Sequence, residues 1–167
     1  MVKQNTQVLI RPAELMDGDA VWSVIEPIIR DGETYTLAID MTREDALAYW
    51  FSEEHEVFVA EDENKVVGSY YLKANHSGGG KHVGNCGYVT AAWATGRGVA
   101  KTMLDHSIER AKERGFRAMQ FNFVVSSNER AVKLWQRNGF EIVGRLPEAF
   151  LHPTLGYVDA YVMFRKL

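Results

Sequence analysis

The chain alternates between two hydrophobic periods, one typical of strands and one typical of helices. Residues 117–125 show the strand period, because successive side chains of a strand point to opposite faces. One face would carry Met119, Phe121 and Phe123, and the other Gln120, Asn122 and Val124. Strands are predicted at residues 7–12, 57–60, 65–74, 82–92, 117–125, 141–145 and 157–166. Residues 146–156, which contain prolines, are interpreted as a loop between the last two strands.

Four other segments repeat apolar residues every three to four positions, which predicts helices with one buried face. They are residues 20–29, 42–52, 96–114 and 128–138. Pro27 predicts a kink or a short second piece in the first helix. Thr42 and Asp45 are typical of a helix N-terminus, and Gly115 of a C-cap. Because strands and helices alternate without a repeat or a linker, we predict a single α/β domain with a mixed sheet over residues 1–167.

Composition narrows the class of protein. At 167 residues the chain is long enough for one domain with a full core. Its net charge of −3 argues against non-specific nucleic-acid binding. The single cysteine, Cys86, excludes an internal disulfide and fits a reducing cytoplasm. Residues 1–7 are polar and no segment approaches membrane-spanning length, so a soluble, cytoplasmic protein without a membrane partner is expected.

A glycine-rich turn joins the strand at residues 82–92 to the next helix. The stretch reads Thr95-Gly96-Arg97-Gly98-Val99-Ala100-Lys101. The first N–H groups of a helix have no partner within it, and with the positive end of the helix dipole they favour an anion such as a pyrophosphate. Gly96 and Gly98 would let the backbone approach that anion. By itself the stretch is equally compatible with a plain turn.

Two motifs together resemble the GCN5-related N-acetyltransferases (GNAT), a family that transfers an acetyl group from acetyl-CoA to an amine. The stretch from Thr95 to Ala100 resembles the family's Arg/Gln-x-x-Gly-x-Gly/Ala pyrophosphate loop. The stretch Asn128-Glu129-Arg130-Ala131-Val132-Lys133-Leu134-Trp135, followed by Gly139-Phe140, resembles its Asn-x-x-Ala-x-x-Leu-Tyr…Gly-Phe block. The resemblance implies a GNAT fold, with a mixed, mostly antiparallel sheet flanked by helices on both faces. It also implies acetyl-CoA as cosubstrate and no metal.

The resemblance assigns residues to the cofactor. A bulged strand would offer the main chains of Val89 and Thr90 to the pantetheine arm, with an unbroken strand as the alternative. Residues 95–101 would hold the pyrophosphate, and Asn128 and Trp135 would also contact the cofactor. Thr95 replaces the family's Arg or Gln, and Trp135 replaces a Tyr that often protonates the departing thiolate. An indole N–H cannot act as an acid near neutral pH, so a non-catalytic acyl-CoA-binding module stays an alternative.

A narrower resemblance, to acetyltransferases of azetidine-2-carboxylate and related proline analogues, concerns the acceptor. It is carried by residues 116–125, 134–147, 149–150, 152–153 and 158–163. It implies that Asn85 and Asn122 grip a small amino-acid acceptor. Both lie in strand-like runs where asparagine is disfavoured, and the alternative is an internal hydrogen bond that pins the strand. Acetylation of a peptide or protein N-terminus, or of a lysine, is the alternative activity.

Three further expectations concern the chemistry and the assembly. The candidates for a general base are His82, His152 and Glu33, and the sequence does not choose among them. Cys86 has no neighbour that would activate it, so we interpret it as a packing residue rather than an acetyl carrier. A homodimer is compatible with the apolar C-terminal strand at residues 160–164, by analogy with families of this kind.

Overall fold

The computed structural model describes residues 8–167, so the polar segment 1–7 and the first residue of the predicted strand 7–12 lie outside the described residues. The strands are β1 (Leu9–Pro12), β2 (Glu56–Asp62), β3 (Lys65–Ala74), β4 (Val83–Thr90), β5 (Ala118–Val125), β6 (Glu141–His152) and β7 (Gly156–Lys166). They form one sheet in the order β1-β2-β3-β4-β5-β7-β6. Neighbouring strands are antiparallel except β4 and β5, which are parallel. The predicted mixed, mostly antiparallel sheet is confirmed.

Four α-helices accompany this sheet: α1 (Gly18–Asp31), α2 (Arg43–Trp50), α3 (Val99–Glu113) and α4 (Glu129–Arg137). Thr42 Oγ1 accepts the Asp45 N–H at 3.1 Å, which caps α2 as predicted. The predicted break at Pro27 is wrong in one respect, because α1 is a single helix and not two pieces. Its apolar face is buried on both sides of the proline, and this packing outweighs the backbone hydrogen bond that proline removes.

The helices cover both faces of the sheet, as predicted. On one face, Trp50 Nε1 of α2 donates to Ser69 Oγ of β3 at 3.0 Å. On the other face, the Tyr88 hydroxyl of β4 lies 2.7 Å from Ser107 Oγ of α3. Directly paired residues of neighbouring strands share a face, and residues two apart in a strand do too. We call the face that carries Ser69 the α1/α2 face and the face that carries the Tyr88 side chain the α3/α4 face. The strand register then assigns every residue of β3 and β4 to one of these two faces.

The parallel pair β4–β5 is short. Only Val83 pairs with Ala118 and Gly84 with Met119, after which the two strands separate. β5 remains paired with β7, with a register shift between Phe121 and Val124. The result is a wedge-shaped opening between β4 after Gly84 and β5 after Met119, which we call the β4–β5 gap. The shift also breaks the predicted alternation of β5, because Val124 is buried rather than lying with Asn122 on an exposed face.

Two predicted boundaries are wrong for identifiable reasons. β6 continues through the predicted loop 146–156 as far as His152. Pro147 lies in a register shift between Leu146 and Phe150, and an outer strand accepts proline at such a bulge because its N–H is not needed there. α3 begins at Val99 rather than Gly96, because Gly96 and Gly98 both have left-handed backbone angles, with φ of +84° and +82°.

Candidate functional site

The turn between β4 and α3 exposes a set of backbone N–H groups. Within this turn, the Thr95 N–H donates to the Ala92 carbonyl oxygen and the Arg97 N–H to that of Ala94, both at 3.3 Å. The first helical hydrogen bond runs from the Thr102 N–H to the Gly98 oxygen. In the part of the chain that the structure describes, the N–H groups of five residues donate to no backbone carbonyl: Gly96, Gly98, Val99, Ala100 and Lys101. These five N–H groups, unlike those of Thr95 and Arg97, are therefore available to an anion.

The side chain of Thr95 does not contribute to that site. Its Oγ1 lies 3.5 Å from the Ala91 carbonyl oxygen, so the hydroxyl turns back to the protein. The sequence reasoning missed a long cationic side chain nearby. Arg130 Nη2 of α4 lies 4.0 Å from the position that a Cβ on Gly96 would take. Arg130 has no carboxylate partner within residues 8–167, and its place after the Asn128 cap was the available signal.

Further cations surround the turn. Lys65 Nζ lies 4.1 Å from the centroid of the Trp93 ring, and the Arg97 guanidinium lies 5.7 Å from it. Arg97 also lies 3.6 Å from Asp62. Lys101 pairs with Asp105, one helical turn further along α3. Trp93, about half exposed, therefore serves as a platform for two cations at the mouth of the turn.

β4 offers its main chain to the gap, but not in the way the sequence predicted. The register between β3 and β4 is unbroken from Gly68–Thr90 to Ala74–Gly84, so the predicted bulge at Val89 and Thr90 is wrong. The Ala91 N–H donates to Val67 and the Asn75 N–H to Val83, which fixes the odd-numbered residues of β4 as those hydrogen-bonded to β3. The main chain of Val89 is therefore used within the sheet. That of Thr90 points into the gap, and divergence of the strands frees it without a bulge.

Trp135 is largely buried rather than open to a ligand. Its ring packs 5.1 Å from Tyr88 and 5.0 Å from Phe121, measured between centroids, on the α3/α4 face. Asn128, predicted as both cap and cofactor contact, caps α4 by accepting the Ala131 N–H at 3.3 Å. Trp135 thus closes one side of the β4–β5 gap as part of an aromatic cluster. An indole in this place supplies a wall rather than an acid.

Asn85 and Asn122 are brought together, as predicted, but through a third asparagine. Asn75 Oδ1 accepts from Asn85 Nδ2 at 3.0 Å and from Asn122 Nδ2 at 2.7 Å. Gln120 Nε2 in turn donates to Asn122 Oδ1 at 2.9 Å. Asn85 pairs with Lys73 across the strands, two residues beyond the Gly87–Tyr71 pair that packs on Trp50. This amide cluster (Asn75, Asn85, Asn122 and Gln120) therefore lies on the α1/α2 face, at the closed end of the β4–β5 gap.

The connection between α1 and α2 crosses the same face. Its Tyr35 hydroxyl donates to the Tyr88 carbonyl oxygen at 2.9 Å, and burial raises the pKa of Tyr35 far above its ordinary value. Lys73 is half-buried beside Asn85, and its Nζ is 3.9 Å from a carboxylate oxygen of the exposed Glu54. This long contact leaves the ammonium available to a second anion. The α1/α2 face thus offers amides and one cation next to main-chain groups of β4.

The structure separates the three base candidates. His152 Nδ1 accepts the N–H groups of Thr154 and Leu155 at 3.2 and 3.3 Å, so its proton is on Nε2 and the ring stabilises the β6–β7 turn. His82 is exposed next to Val83, at the end of β4 where β5 is still paired. Glu33 is exposed on the α1–α2 connection, two residues from Tyr35, and stays a candidate.

A histidine that the sequence reasoning missed lies on the α1/α2 face. His55 stacks on Tyr71 with centroids 3.9 Å apart, and its Nδ1 donates to the Trp50 carbonyl oxygen at 3.0 Å. Burial lowers the pKa of His55, so the ring is neutral at pH 7 and its Nε2 lone pair can accept a proton.

Burial raises the pKa of Cys86 to about 12, which makes its thiol unreactive.

Within residues 8–167, no cluster of three or more His, Cys, Asp and Glu side chains is arranged to hold a metal ion. Over the same range, none of the helices combines the length and the apolar character needed to cross a membrane.

The chain is similar in sequence and in fold to known acetyltransferases. The model of the acetyltransferase (GNAT) family matches residues 22–140. N-acetyltransferase aca1 of Schizosaccharomyces pombe is 28% identical over 151 residues, covering 80% of this chain and 72% of that protein. A GCN5-related N-acetyltransferase from Kribbella flavida superposes with a TM-score of 0.92 at 41% identity, covering 96% of this chain and 98% of that one. The protein yncA from Salmonella typhimurium, solved with its cofactor acetyl-CoA, shares the fold at 18% identity and a TM-score of 0.84, covering 97% and 95%.

Proposed function

This chain belongs to the GNAT family of acetyltransferases, and from that membership we propose that it transfers the acetyl group of acetyl-CoA to the amine of a small amino acid or a proline-like analogue. As a member of the family it is an acetyl-CoA-dependent N-acetyltransferase. The observation that carries the proposed acceptor is the amide cluster. Its four side-chain amides lie on the α1/α2 face with Lys73 beside Asn85, a combination that suits the carboxylate and amine of one small zwitterion.

The described residues fit a diphosphate at the start of α3. Five N–H groups there lack a backbone acceptor, and a Cβ on Gly98 would meet no atom of the described chain within 4 Å, so the space before them is open. Hydrogen bonds from several N–H groups to charged oxygens contribute about 1.5–3 kcal/mol each, enough to hold a diphosphate without a metal. Gly96, Gly98, Val99, Ala100 and Lys101 would hold it through their main chains, with Arg130 beside them.

Acetyl-CoA supplies an acetyl thioester. The main-chain N–H of Thr90 faces the β4–β5 gap, where it is placed to donate to the pantetheine arm or to the thioester oxygen. Trp135 and Tyr88 exclude water from the α3/α4 side of the gap. Asn85 and Asn122 would orient the acceptor from the opposite side. The proposed reaction is thus direct transfer with both substrates bound, in which the chain contributes orientation and hydrogen bonds.

The need for a protein base depends on the acceptor. The α-amine of a peptide, with a pKa near 8, is deprotonated at pH 7 for about 1 kcal/mol, whereas an amine near 10.4 costs about 4–5 kcal/mol. His55, a neutral imidazole on the α1/α2 face, could receive a proton from the more basic amines through water. Such a relay would matter most for a basic amine such as azetidine-2-carboxylate.

A panel of acceptors tests the proposal. Purified protein with acetyl-CoA is offered azetidine-2-carboxylate, proline, other amino acids, short peptides and lysine-containing peptides, and the released CoA thiol is measured. We expect release with small amino acids and little with peptides. Preference for peptides would indicate the alternative activity, acetylation of protein N-termini or lysines. Tight CoA binding with no release from any amine would indicate a non-catalytic binding module.

Replacement of Asn122 by alanine tests the acceptor role of the cluster. Asn122 is exposed, so its loss should hardly change the melting temperature, whereas it removes a hydrogen bond to the acceptor. We expect kcat/KM for the best acceptor to fall about tenfold or more, with the KM for acetyl-CoA unchanged. Gln120→Ala, which removes only the outer member of the cluster, is the matched control. Parallel losses of stability and activity in Asn122→Ala would instead mean that the cluster pins the strands.

The proposal also covers the oligomeric state of the protein and the cellular compartment in which it works. We expect a homodimer, and we expect the enzyme to work in the cytoplasm, where a buried free thiol such as Cys86 is stable. β7, which contains the predicted interface at residues 160–164, is paired with β5 on one edge and β6 on the other, so it could join an interface only through its side chains. The sheet has two edge strands, β1 and β6, and β6 carries more of the exposed apolar side chains, so we expect the dimer to form there.

A further inference from the structure

Asn75 is the hub of the amide cluster. It lies one residue beyond β3, and its Oδ1 accepts both hydrogen bonds that tie Asn85 and Asn122 together. In this arrangement Asn85 and Asn122 turn N–H groups inward to Asn75, so their oxygens are directed away from it. Asn122 Oδ1 receives Gln120 Nε2, and Asn85 Oδ1 receives no donor within residues 8–167. The cluster joins three strand segments where the pairing of β4 with β5 ends.

The same arrangement leaves one group unsatisfied. Asn75 Nδ2 is buried and has no hydrogen-bond partner among the described residues. A buried N–H without a partner is rare and costly in folded proteins, whereas an under-satisfied carbonyl oxygen is tolerated more often. Half a turn of all four amides would keep their three hydrogen bonds. The two N–H groups of Asn75 would then donate to Asn85 Oδ1 and Asn122 Oδ1, and Asn122 Nδ2 would donate to Gln120 Oε1. The buried group without a partner would become an oxygen.

The two arrangements present opposite chemistry to a ligand. In the first, the amide oxygens of Asn85 and Asn122 face outward, which suits an ammonium or carboxamide N–H. In the second, their N–H groups face outward and suit a carboxylate. Lys73, the cross-strand neighbour of Asn85, adds a positive charge on the same face. The charge and the relief of the buried N–H both favour the second arrangement when a carboxylate is bound.

We propose that Asn75 is a positioning residue for acceptor specificity: rotation of its amide turns the N–H groups of Asn85 and Asn122 outward, so that the subsite takes the carboxylate of the acceptor. This inference rests on the proposed function, since it assumes a small acceptor that carries a carboxylate. Asn75 itself does not touch the acceptor, because its amide nitrogen is buried beneath the other two. Its effect is to decide whether its partners donate or accept.

Asn75→Asp tests the rotation. A carboxylate only accepts hydrogen bonds, so Asn85 and Asn122 must keep their N–H groups inward. Azetidine-2-carboxylate and its carboxamide are compared as acceptors by release of CoA thiol. We expect the ratio of kcat/KM for carboxylate over carboxamide to fall about 10- to 100-fold, the range for a hydrogen bond to a charged group. His76→Asp, which adds an exposed charge one residue along, is the matched control and should change the ratio less than about threefold.

Asn75→Ala gives a second reading in case the aspartate variant folds poorly. Without the hub neither orientation is held, so the ratio should move toward one while the KM for acetyl-CoA stays constant. Equal losses for both acceptors in the two Asn75 variants, or an equal shift in His76→Asp, would overturn the inference and leave the proposed function intact. Wild-type protein that acetylates neither acceptor would overturn both.

Discussion

The side chains of Thr95 and Arg130 differ in whether they are available to an anion at the glycine turn. Thr95 directs its hydroxyl to the Ala91 carbonyl oxygen, so the turn lacks the long side chain that the family resemblance implies at that position. Arg130 reaches the same place from α4, with Nη2 beside Gly96. A guanidinium without a carboxylate partner is a strong donor to phosphate oxygens. We infer that Arg130 takes over the contact that Thr95 cannot make.

Arg130→Ala should therefore weaken the binding of acetyl-CoA. We expect the KM for acetyl-CoA to rise about tenfold or more, because a charge-assisted hydrogen bond is lost. The KM for an acetyl-pantetheine donor, which lacks the diphosphate, should not change. Lys133→Ala, which removes an exposed cation paired with Glu129 on the same helix, is the control. Steady-state kinetics with both donors make the measurement.

A second substitution that restores a guanidinium tests the same contact. Thr95→Arg in the Arg130→Ala background would return a guanidinium to the turn from the position where the family carries one. Recovery of part of the acetyl-CoA affinity is expected. An unchanged KM in Arg130→Ala would mean instead that the five backbone N–H groups hold the diphosphate without help from this side chain.

The element that organises the site is the N-terminus of α3 with its glycine turn. Gly98 has a φ of +82° and open space where a Cβ would lie, which is the space the diphosphate would fill. Gly98→Val should abolish measurable CoA binding by calorimetry while the circular dichroism spectrum stays native. The strained angle will cost about 1–2 kcal/mol of stability, so the melting temperature falls but folding persists. Retained affinity in the folded variant would remove the turn from the cofactor site.

A second element-scale contact anchors β1 to the start of α1. Arg11 donates to both carboxylate oxygens of Asp17 at 2.8 Å and to Glu61 at 2.7 Å, and Asp17 also accepts the Glu14 N–H. The hydrogen bonds from Arg11 lower the pKa of Asp17 below its ordinary 3.8. A lowered carboxyl pKa contributes stability that is complete above about pH 4 and is lost as the pH falls through the folded-state pKa.

Asp17→Asn should lower the free energy of unfolding by about 1–3 kcal/mol at pH 7, because Arg11 and the Glu14 N–H lose a charged acceptor. The difference from wild type should shrink below pH 4, where the wild-type carboxylate takes up a proton. Urea unfolding at several pH values measures both effects. Asp19→Asn is the control, since Asp19 pairs with Arg43 while highly exposed and should change stability little. A pH-independent difference would contradict the ion-pair account.

At the scale of the whole molecule, the sheet ends in a long outer strand. β6 lies at the edge of the strand order, and its hairpin with β7 exposes Ile142, Val143, Leu146, Leu151, Leu155 and Tyr157. An exposed, apolar edge strand is a site for association unless a partner covers it. A second copy of the chain is the occupant we propose, because a twofold pair of such hairpins would cover both edges at once.

Light scattering tests the dimer. Wild-type protein should give a mass twice that of the 18.9 kDa chain. Val143→Glu combined with Leu151→Glu should give the monomer, because buried unpaired carboxylates oppose association. Leu15→Glu, at an exposed apolar residue outside the hairpin, should leave the dimer intact. A monomeric wild-type protein would show that β6 is protected in another way.

The sequence by itself determined the local features. The caps at Thr42 and Asn128, the glycine turn before α3 and the strand–helix order all follow from contacts between residues close in the chain, which composition and periodicity report directly. The two motifs were specific enough to indicate the family. The expectation that Asn85 and Asn122 serve the same acceptor site followed from the resemblance.

Only the tertiary structure decided which groups are free to act. Whether the main chain of Val89 or Thr90 is available depends on the register with β3 and on the divergence of β5, both of which involve residues distant in the sequence. His55 and Asn75 belong to no motif, and Arg130 occupies a variable position of the second motif. Only their neighbours on other elements indicate a role for them. Hydrogen-bond satisfaction and burial are properties of packed neighbours, and no local pattern contains them.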